Sequence, residues 1–163
     1  METTQAKLSM LNTSGTAVSP LKVPNRLLLG PGPSNSHPLV LEALSNQPVG
    51  HLDPFYIDLM AEVQGLLRQV WKTTNRLTLP MSGTGSAAME ATLANVIEPE
   101  DNVLVGVKGY FGSRLVDMAS RYRANVHTIN KSWGQAFNID EIEEALIKYR
   151  PSVFALVHAE TST

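Results

Sequence analysis

The chain contains no cysteine. That absence excludes disulfides, thiolate nucleophiles and zinc–thiolate centres, and it suits a reducing compartment. An excess of one charge is missing too: thirteen Lys and Arg stand against fifteen Asp and Glu, a formal net charge of −2. No basic footprint for nucleic acid is carried by overall charge. The four histidines are scattered without the spacing to other His, Asp or Glu that a metal site requires. The longest apolar runs, such as Val103-Leu104-Val105-Gly106-Val107, have the length of a strand and fall far short of a bilayer span. Nucleic acid, metal and membrane are therefore all expected to be absent from its function.

What is present fits a globular α/β domain, with 43% hydrophobic and 17% charged residues. Residues 1–25 are rich in Ser and Thr, show no periodicity and lack the features of a secretory signal or transit peptide, so they read as a flexible arm. The domain is expected over residues 26–163. Alternating Gly and Pro in Gly30-Pro31-Gly32-Pro33-Ser34-Asn35 exclude helix and impose a rigid loop. A short helix follows over Leu39–Leu44. Asp53 then reads as an N-cap with Pro54 at the first helical position, and the helix runs to about Trp71. Its Ile57, Met60, Ala61, Val63, Leu67 and Val70 predict one buried face.

Strands are expected at Leu77–Met81, Val103–Val107, Asn125–Ile129 and Val153–Val157. Helices are expected at about Ser86–Ile97, Ser113–Tyr122 and from Asn138 onward, with Gly109-Tyr110-Phe111-Gly112 as a loop. Alternation of strands and helices across short turns implies βαβ units, a parallel sheet with flanking helices, and ligands at the carboxyl ends of the strands. Three loops are expected at that edge: Ser82 to Ser86, Lys108 to Gly112, and His158 to Thr163.

Ser82-Gly83-Thr84-Gly85-Ser86 carries the most chemistry. Two glycines let the backbone approach a ligand, and the unpaired N–H groups of the following helix, with the positive end of its dipole, suit a phosphate. A Walker loop is excluded because no Gly-Lys-Ser/Thr follows. The formal match of Gly83 to Ala88 with G-x-G-x-x-A lacks the acidic ribose reader after the next strand, where Lys108 stands instead. A nucleotide-dependent oxidoreductase is thus disfavoured. Phe111, flanked by glycines, is balanced between a plate for a planar ligand and ordinary core, and His158 reads as a histidine closing a strand.

Together, Leu28-Leu29-Gly30-Pro31-Gly32-Pro33-Ser34-Asn35, Ser82-Gly83-Thr84-Gly85 with Met89-Glu90, Gly109-Tyr110-Phe111-Gly112 with Arg114, and His158-Ala159-Glu160-Thr161-Ser162-Thr163 resemble the class V aminotransferases. These are pyridoxal-phosphate enzymes of fold type I, and the likeness is to their alanine–glyoxylate and serine–pyruvate (serine–glyoxylate) group. The resemblance implies the amino-terminal portion of a fold-type I large domain, with an incomplete sheet. It implies that Thr84, Gly85 and Ser86 hold the phosphate of pyridoxal 5'-phosphate, that Phe111 stacks on its ring and that Thr161 lies near the ring hydroxyl. Family members often have Trp at the Phe111 position and His at the Ser86 position. Gly30, Pro31 and Gly32 would lie by a substrate pocket completed by a second subunit of a homodimer.

The family's Schiff-base lysine and pyridine-pairing aspartate match nothing here. Lys7, Lys22, Lys72, Lys108, Lys131 and Lys148 all lie outside its lysine segment, so no catalytic residue is assigned in this chain. The expectation is a fragment, inactive by itself, of a transaminase acting on amino acids and 2-oxo acids and moving an amino group from alanine or serine to glyoxylate or pyruvate. The alternatives are a noncatalytic phosphate-ligand module and a 3-hydroxykynurenine transaminase. A cytoplasmic location is expected; a peroxisomal signal, read at a carboxyl terminus, would fall beyond Thr163.

Overall fold

The computed structural model describes residue 19 and residues 21–163, so most of the arm expected over residues 1–25 lies outside the described residues. The chain divides into two compact units, residues 1–41 and 42–163. In the first, one side chain holds the Gly-Pro loop: Asn35 Oδ1 accepts from the Leu28 N–H at 2.8 Å, while Asn35 Nδ2 donates to the Arg26 carbonyl at 2.9 Å. A single amide so satisfies backbone groups on the strandless approach to the loop. Gly32 within it has φ 156°, a conformation that residues with a Cβ avoid.

The elements in chain order are α1 (Pro38–Leu44), α2 (Pro54–Trp71), α3 (Gly85–Ala94), β1 (Asn102–Val107), α4 (Tyr110–Arg121), β2 (Asn125–Asn130), α5 (Ile139–Tyr149) and β3 (Val153–Leu156). The three strands form a parallel sheet in the order β2-β1-β3. Val105 stands opposite Thr128 on one side and Ala155 on the other. Parallel neighbours need crossovers, and α4 and α5 supply them.

β1 is the centre of the core, with Val103, Leu104 and Val105 each 0% exposed. Val103 and Val105 pack with Leu93 and Ile97, at and just beyond the end of α3, and with Leu115, Met118 and Ala119 of α4. Burying side chains of this size stabilises the fold by about 1.5–3 kcal/mol each. On the opposite face, Gly106 leaves room for Phe137 and Leu156, whose atoms would lie 2.9 and 3.2 Å from an added Cβ. There His127, in register with Leu104, stacks on Tyr149 of α5 with ring centroids 4.1 Å apart.

Several expectations change. Among the described residues Leu77–Met81 forms no strand and pairs with nothing, and Leu77 is 81% and Met81 59% exposed. A strand needs a neighbour for its N–H and C=O groups, and no described segment offers one. α3 stops at Ala94, where Asn95 Nδ2 takes the Ala91 carbonyl at 2.6 Å. Ile97 is buried all the same.

At the start of α2, Asp53 Oδ1 accepts from the Phe55 N–H at 2.9 Å, with Pro54 beside it as expected. Its apolar face, however, meets no other helix or strand among the described residues, and Ile57 and Val70 stay 54% and 72% exposed. Periodicity marks which face a helix offers for burial; it does not supply the partner. No described helix is long and apolar enough to cross a membrane.

Gly112 lies in the first turn of α4 directly on β1: an added Cβ would stand 3.0 Å from Val107 Cα and 3.1 Å from the Gly106 carbonyl oxygen. Backbone cannot swing aside as a side chain can. Gly112→Ala is expected to lower the urea-unfolding free energy by about 1–3 kcal/mol. Gly65→Ala, whose Cβ would meet only the tip of Arg68 at 4.0 Å, is expected to raise it by about 0.4–1 kcal/mol. Equal urea midpoints for Gly112→Ala and the parent chain would contradict this packing.

Candidate functional site

α3 opens at a turn in which Gly83 has φ 157° and an added Cβ would press on Ala87 at 3.1 Å. Thr84 is its N-cap: Oγ1 accepts from the Ala87 N–H at 3.3 Å, and the Thr84 carbonyl accepts from the Ala88 N–H at 3.2 Å. The structure uses its oxygen as the cap and leaves the O–H hydrogen available. Gly85 and Ser86 then present their N–H groups at the open end of the helix, where peptide dipoles place positive charge. At Gly85 an added Cβ would meet nothing within 4 Å. An open helix end with two unpaired N–H groups beside the Thr84 hydroxyl matches the chemistry of a phosphate.

The second cluster joins the start of α4 to the loop leaving β3. Gly109-Tyr110-Phe111-Gly112, expected as a loop, is the N-cap and first turn of α4. Gly109 has no side chain with which to cap, so the orphan N–H groups are taken from far along the chain. Tyr110 N–H donates to Ser162 Oγ at 2.9 Å, Phe111 N–H to Glu160 Oε1 at 3.4 Å and Gly112 N–H to Glu160 Oε2 at 3.1 Å. The Ser162 hydroxyl and N–H also donate to Glu160 Oε1, at 2.6 and 3.4 Å. A helix start that no local residue caps is completed by residues 48 to 52 positions later.

Glu160 is the buried charged residue among the described ones, 9% exposed. Burial pulls its pKa up. The Ser162 hydroxyl and the N–H groups of Gly112, Phe111 and Ser162 together outweigh that, and hold the carboxyl below its ordinary value. Elsewhere, Lys131 Nζ pairs with Glu141 at 2.5 Å and keeps that carboxyl low against a smaller opposing effect of burial.

The sequence-predicted residues fall into separate groups. Phe111, half-buried in the first turn of α4 with its ring edge-on to Tyr110 at 5.4 Å, and Thr161, exposed in the β3 exit loop, are brought together by Glu160 and Ser162. Thr84, Gly85 and Ser86 head α3, which packs beside α4, with no hydrogen bond to Phe111 or Thr161. Gly30, Pro31 and Gly32 are exposed and belong to the first unit, residues 1–41. Lys108 Nζ lies 5.8 Å from the centroid of the Phe137 ring, the ring that covers Gly106. His158 is exposed just after β3. Among the described residues no group of three or more His, Asp or Glu converges as a metal site would require.

Glu160 is not among the sequence-predicted site residues, because its capping role depends on a contact that no local pattern encodes. Gly109 carries no side-chain acceptor, so the N–H groups of the first turn are left to water or to a distant acceptor, and only the folded chain decides which.

Replacing Glu160 with Ala leaves the N–H groups of Phe111 and Gly112 unpaired and is expected to cost about 1–3 kcal/mol of stability. Because the folded-state pKa is depressed below 4.5, the carboxylate contributes fully above the unfolded value and loses its contribution as pH falls through the folded one. Urea unfolding of the parent and Glu160→Gln chains should therefore differ at pH 7 and converge in the acid range below about 4. A gap independent of pH would contradict an ionised cap.

No family model matches the chain. Over 144 residues it is 44% identical to the alanine–glyoxylate aminotransferase of Mus musculus, covering 88% of this chain and 35% of that protein. It is 43% identical over 143 residues to the (S)-ureidoglycine–glyoxylate transaminase of Bacillus subtilis, covering 88% and 34%. Among solved structures, an alanine–glyoxylate aminotransferase from Nostoc sp. superposes with a TM-score of 0.82 at 59% identity, over 94% of this chain and 41% of that one. The chain thus spans about a third of the length of the curated relatives it matches. Across nearly all of the described residues, and on a shared fold, the chain is thus similar to one part of the class V aminotransferases.

Proposed function

We propose that this chain supplies the coenzyme-holding part of a pyridoxal-5'-phosphate-dependent aminotransferase, with an amino acid as donor and glyoxylate as acceptor. The observation that carries the proposal is the open amino end of α3, an anion cradle in a chain closely similar to glyoxylate-using aminotransferases. Alanine is the donor named for the mouse relative and ureidoglycine for the bacterial one. The donor is small, alanine or serine, residues 26–163 form part of the coenzyme-binding domain, and a homodimer is the working assembly.

The residues present fit the phosphate end of the coenzyme. Gly85 and Ser86 would donate N–H groups to phosphate oxygens, the Thr84 and Ser86 hydroxyls would add donors, and the dipole of α3 would favour the anion. Phe111 would lie against one face of the pyridine ring, restricting its tilt and keeping water from that side. Thr161 would offer its hydroxyl to the ring's oxygen substituent. When bound, the coenzyme supplies an electron sink for charge developing on the substrate carbon. The lysine and the acidic partner of the ring nitrogen that this chemistry requires are not assigned to any residue of this chain, which accounts here only for binding and orientation.

Binding of inorganic phosphate by the chain, followed by amide shifts at Gly85 and Ser86, is expected to weaken about tenfold or more in Ser86→Ala, through loss of a hydrogen bond to a charged group. Unchanged affinity would argue against the cradle. After incubation with pyridoxal 5'-phosphate and borohydride reduction, peptide mapping should find no stoichiometric adduct on Lys108. A stable adduct there would overturn the assignment of no catalytic lysine.

A further inference from the structure

Local chemistry offers a simpler way to begin α4 than the one this chain uses. A Ser, Asp or Asn at position 109 would cap the helix by itself. Instead Gly109 is buried, and a Cβ on it would collide with Glu160 Cγ and lie 2.6 Å from Glu160 Cδ and 2.7 Å from Ser162 Oγ. The space a local cap would occupy is filled by a carboxylate from the exit loop of the neighbouring strand β3. Burying a charge carries a desolvation cost that a local cap would avoid.

The distant cap does something a local one cannot. Phe111 donates its N–H to Glu160, Thr161 is the residue immediately after Glu160, and Ser162 holds both the carboxylate and the Tyr110 N–H. Two residues on different elements, one aromatic and one hydroxyl-bearing, are therefore referred to the same carboxyl group. Among the described residues no other hydrogen bonds join α4 to the β3 exit loop.

We infer that Glu160 is a positioning residue for the coenzyme ring: it fixes the first turn of α4 against the β3 exit loop, so that Phe111 and Thr161 meet the ring in one prepared arrangement. The inference rests on the coenzyme reading above. Glu160 touches neither ring nor phosphate in this role; it acts through the backbone of Phe111 and Gly112 and through Ser162. The phosphate cradle at Thr84 to Ser86 is independent of it, so the two halves of the site are separable by ligand. Prepared placement lowers the ordering cost of binding, and losing it removes affinity for the ring without removing affinity for the phosphate.

The test uses the 163-residue chain and two probes. One is 4'-deoxypyridoxine 5'-phosphate, which has ring and phosphate but no aldehyde to react with surface lysines; the other is inorganic phosphate. The parent chain should bind the ring-bearing probe more tightly and give it an induced circular-dichroism band. In Glu160→Ala the preference for the ring-bearing probe over phosphate should fall about three- to tenfold and the induced band should vanish, with phosphate affinity unchanged. Ser162→Ala should move both readouts the same way by less, and Glu160→Asp should restore part of them.

Amide shifts supply a measurement without ligand. Those of Phe111 and Gly112 should move in Glu160→Gln while the methyl signals of Val103 and Val105 stay in place, which keeps the question open to decision if the Ala variant unfolds. If the Phe111 and Gly112 amides do not respond, or if folded Glu160 variants keep the ring preference and the induced band, the inference is overturned while the coenzyme reading survives. If the parent chain shows no preference for the ring-bearing probe, the coenzyme reading itself fails, and the inference with it.

Discussion

Val103, Leu104 and Val105 are wholly removed from water, and most of the molecule's order follows from that burial. A strand with apolar residues on successive positions has two faces to cover, and a parallel strand cannot be reached by a hairpin. One face is covered by α4 and the end of α3, the other by α5 and Phe137. The crossovers that connect the strands are also the layers that keep them dry. Helices that lead out of carboxyl strand ends then put their positive ends at one edge of the sheet, which is where such folds collect anionic ligands.

The close packing of that edge explains its glycines. Gly112 lets α4 start directly on the backbone of Gly106 and Val107, and Gly109 leaves space for Glu160 and Ser162. Neither glycine is placed for flexibility, since each sits where another chain segment occupies the volume of a side chain. The result is a helix whose first turn is anchored from two directions, by β1 beneath it and by the β3 exit loop beside it.

Much of this was legible in the chain. Asp53 and Pro54 announced the start of α2, Asn138 and its following acids that of α5, and the run Val103–Val107 a buried strand. Each is a local signal, set by one residue's hydrogen bonding or by the side-chain period of one element. The readings that changed depend on distant partners. Among the described residues Leu77–Met81 has the composition of a strand but no neighbour to pair with, and α2 has the stripe of a packed helix but no helix or strand packed on it. Gly109–Gly112 has the composition of a loop and forms a helical turn only because Glu160 and Ser162 satisfy its N–H groups.

The sequence by itself determined most of the helices and the three strands of the sheet, the glycine- and hydroxyl-bearing helix start at Thr84 to Ser86, and the family to which these motifs point. Those properties depend on side-chain type and short-range spacing, and both can be read along the chain. Only the tertiary structure decided that Thr84 spends its oxygen on capping, that Phe111 belongs to a helix, and that a buried carboxylate ties Phe111 to the loop carrying Thr161. The reason is physical: an orphan N–H group takes whichever acceptor the folded chain brings within reach. Between Gly112 and Glu160 that reach spans 48 residues of sequence and 3.1 Å of space.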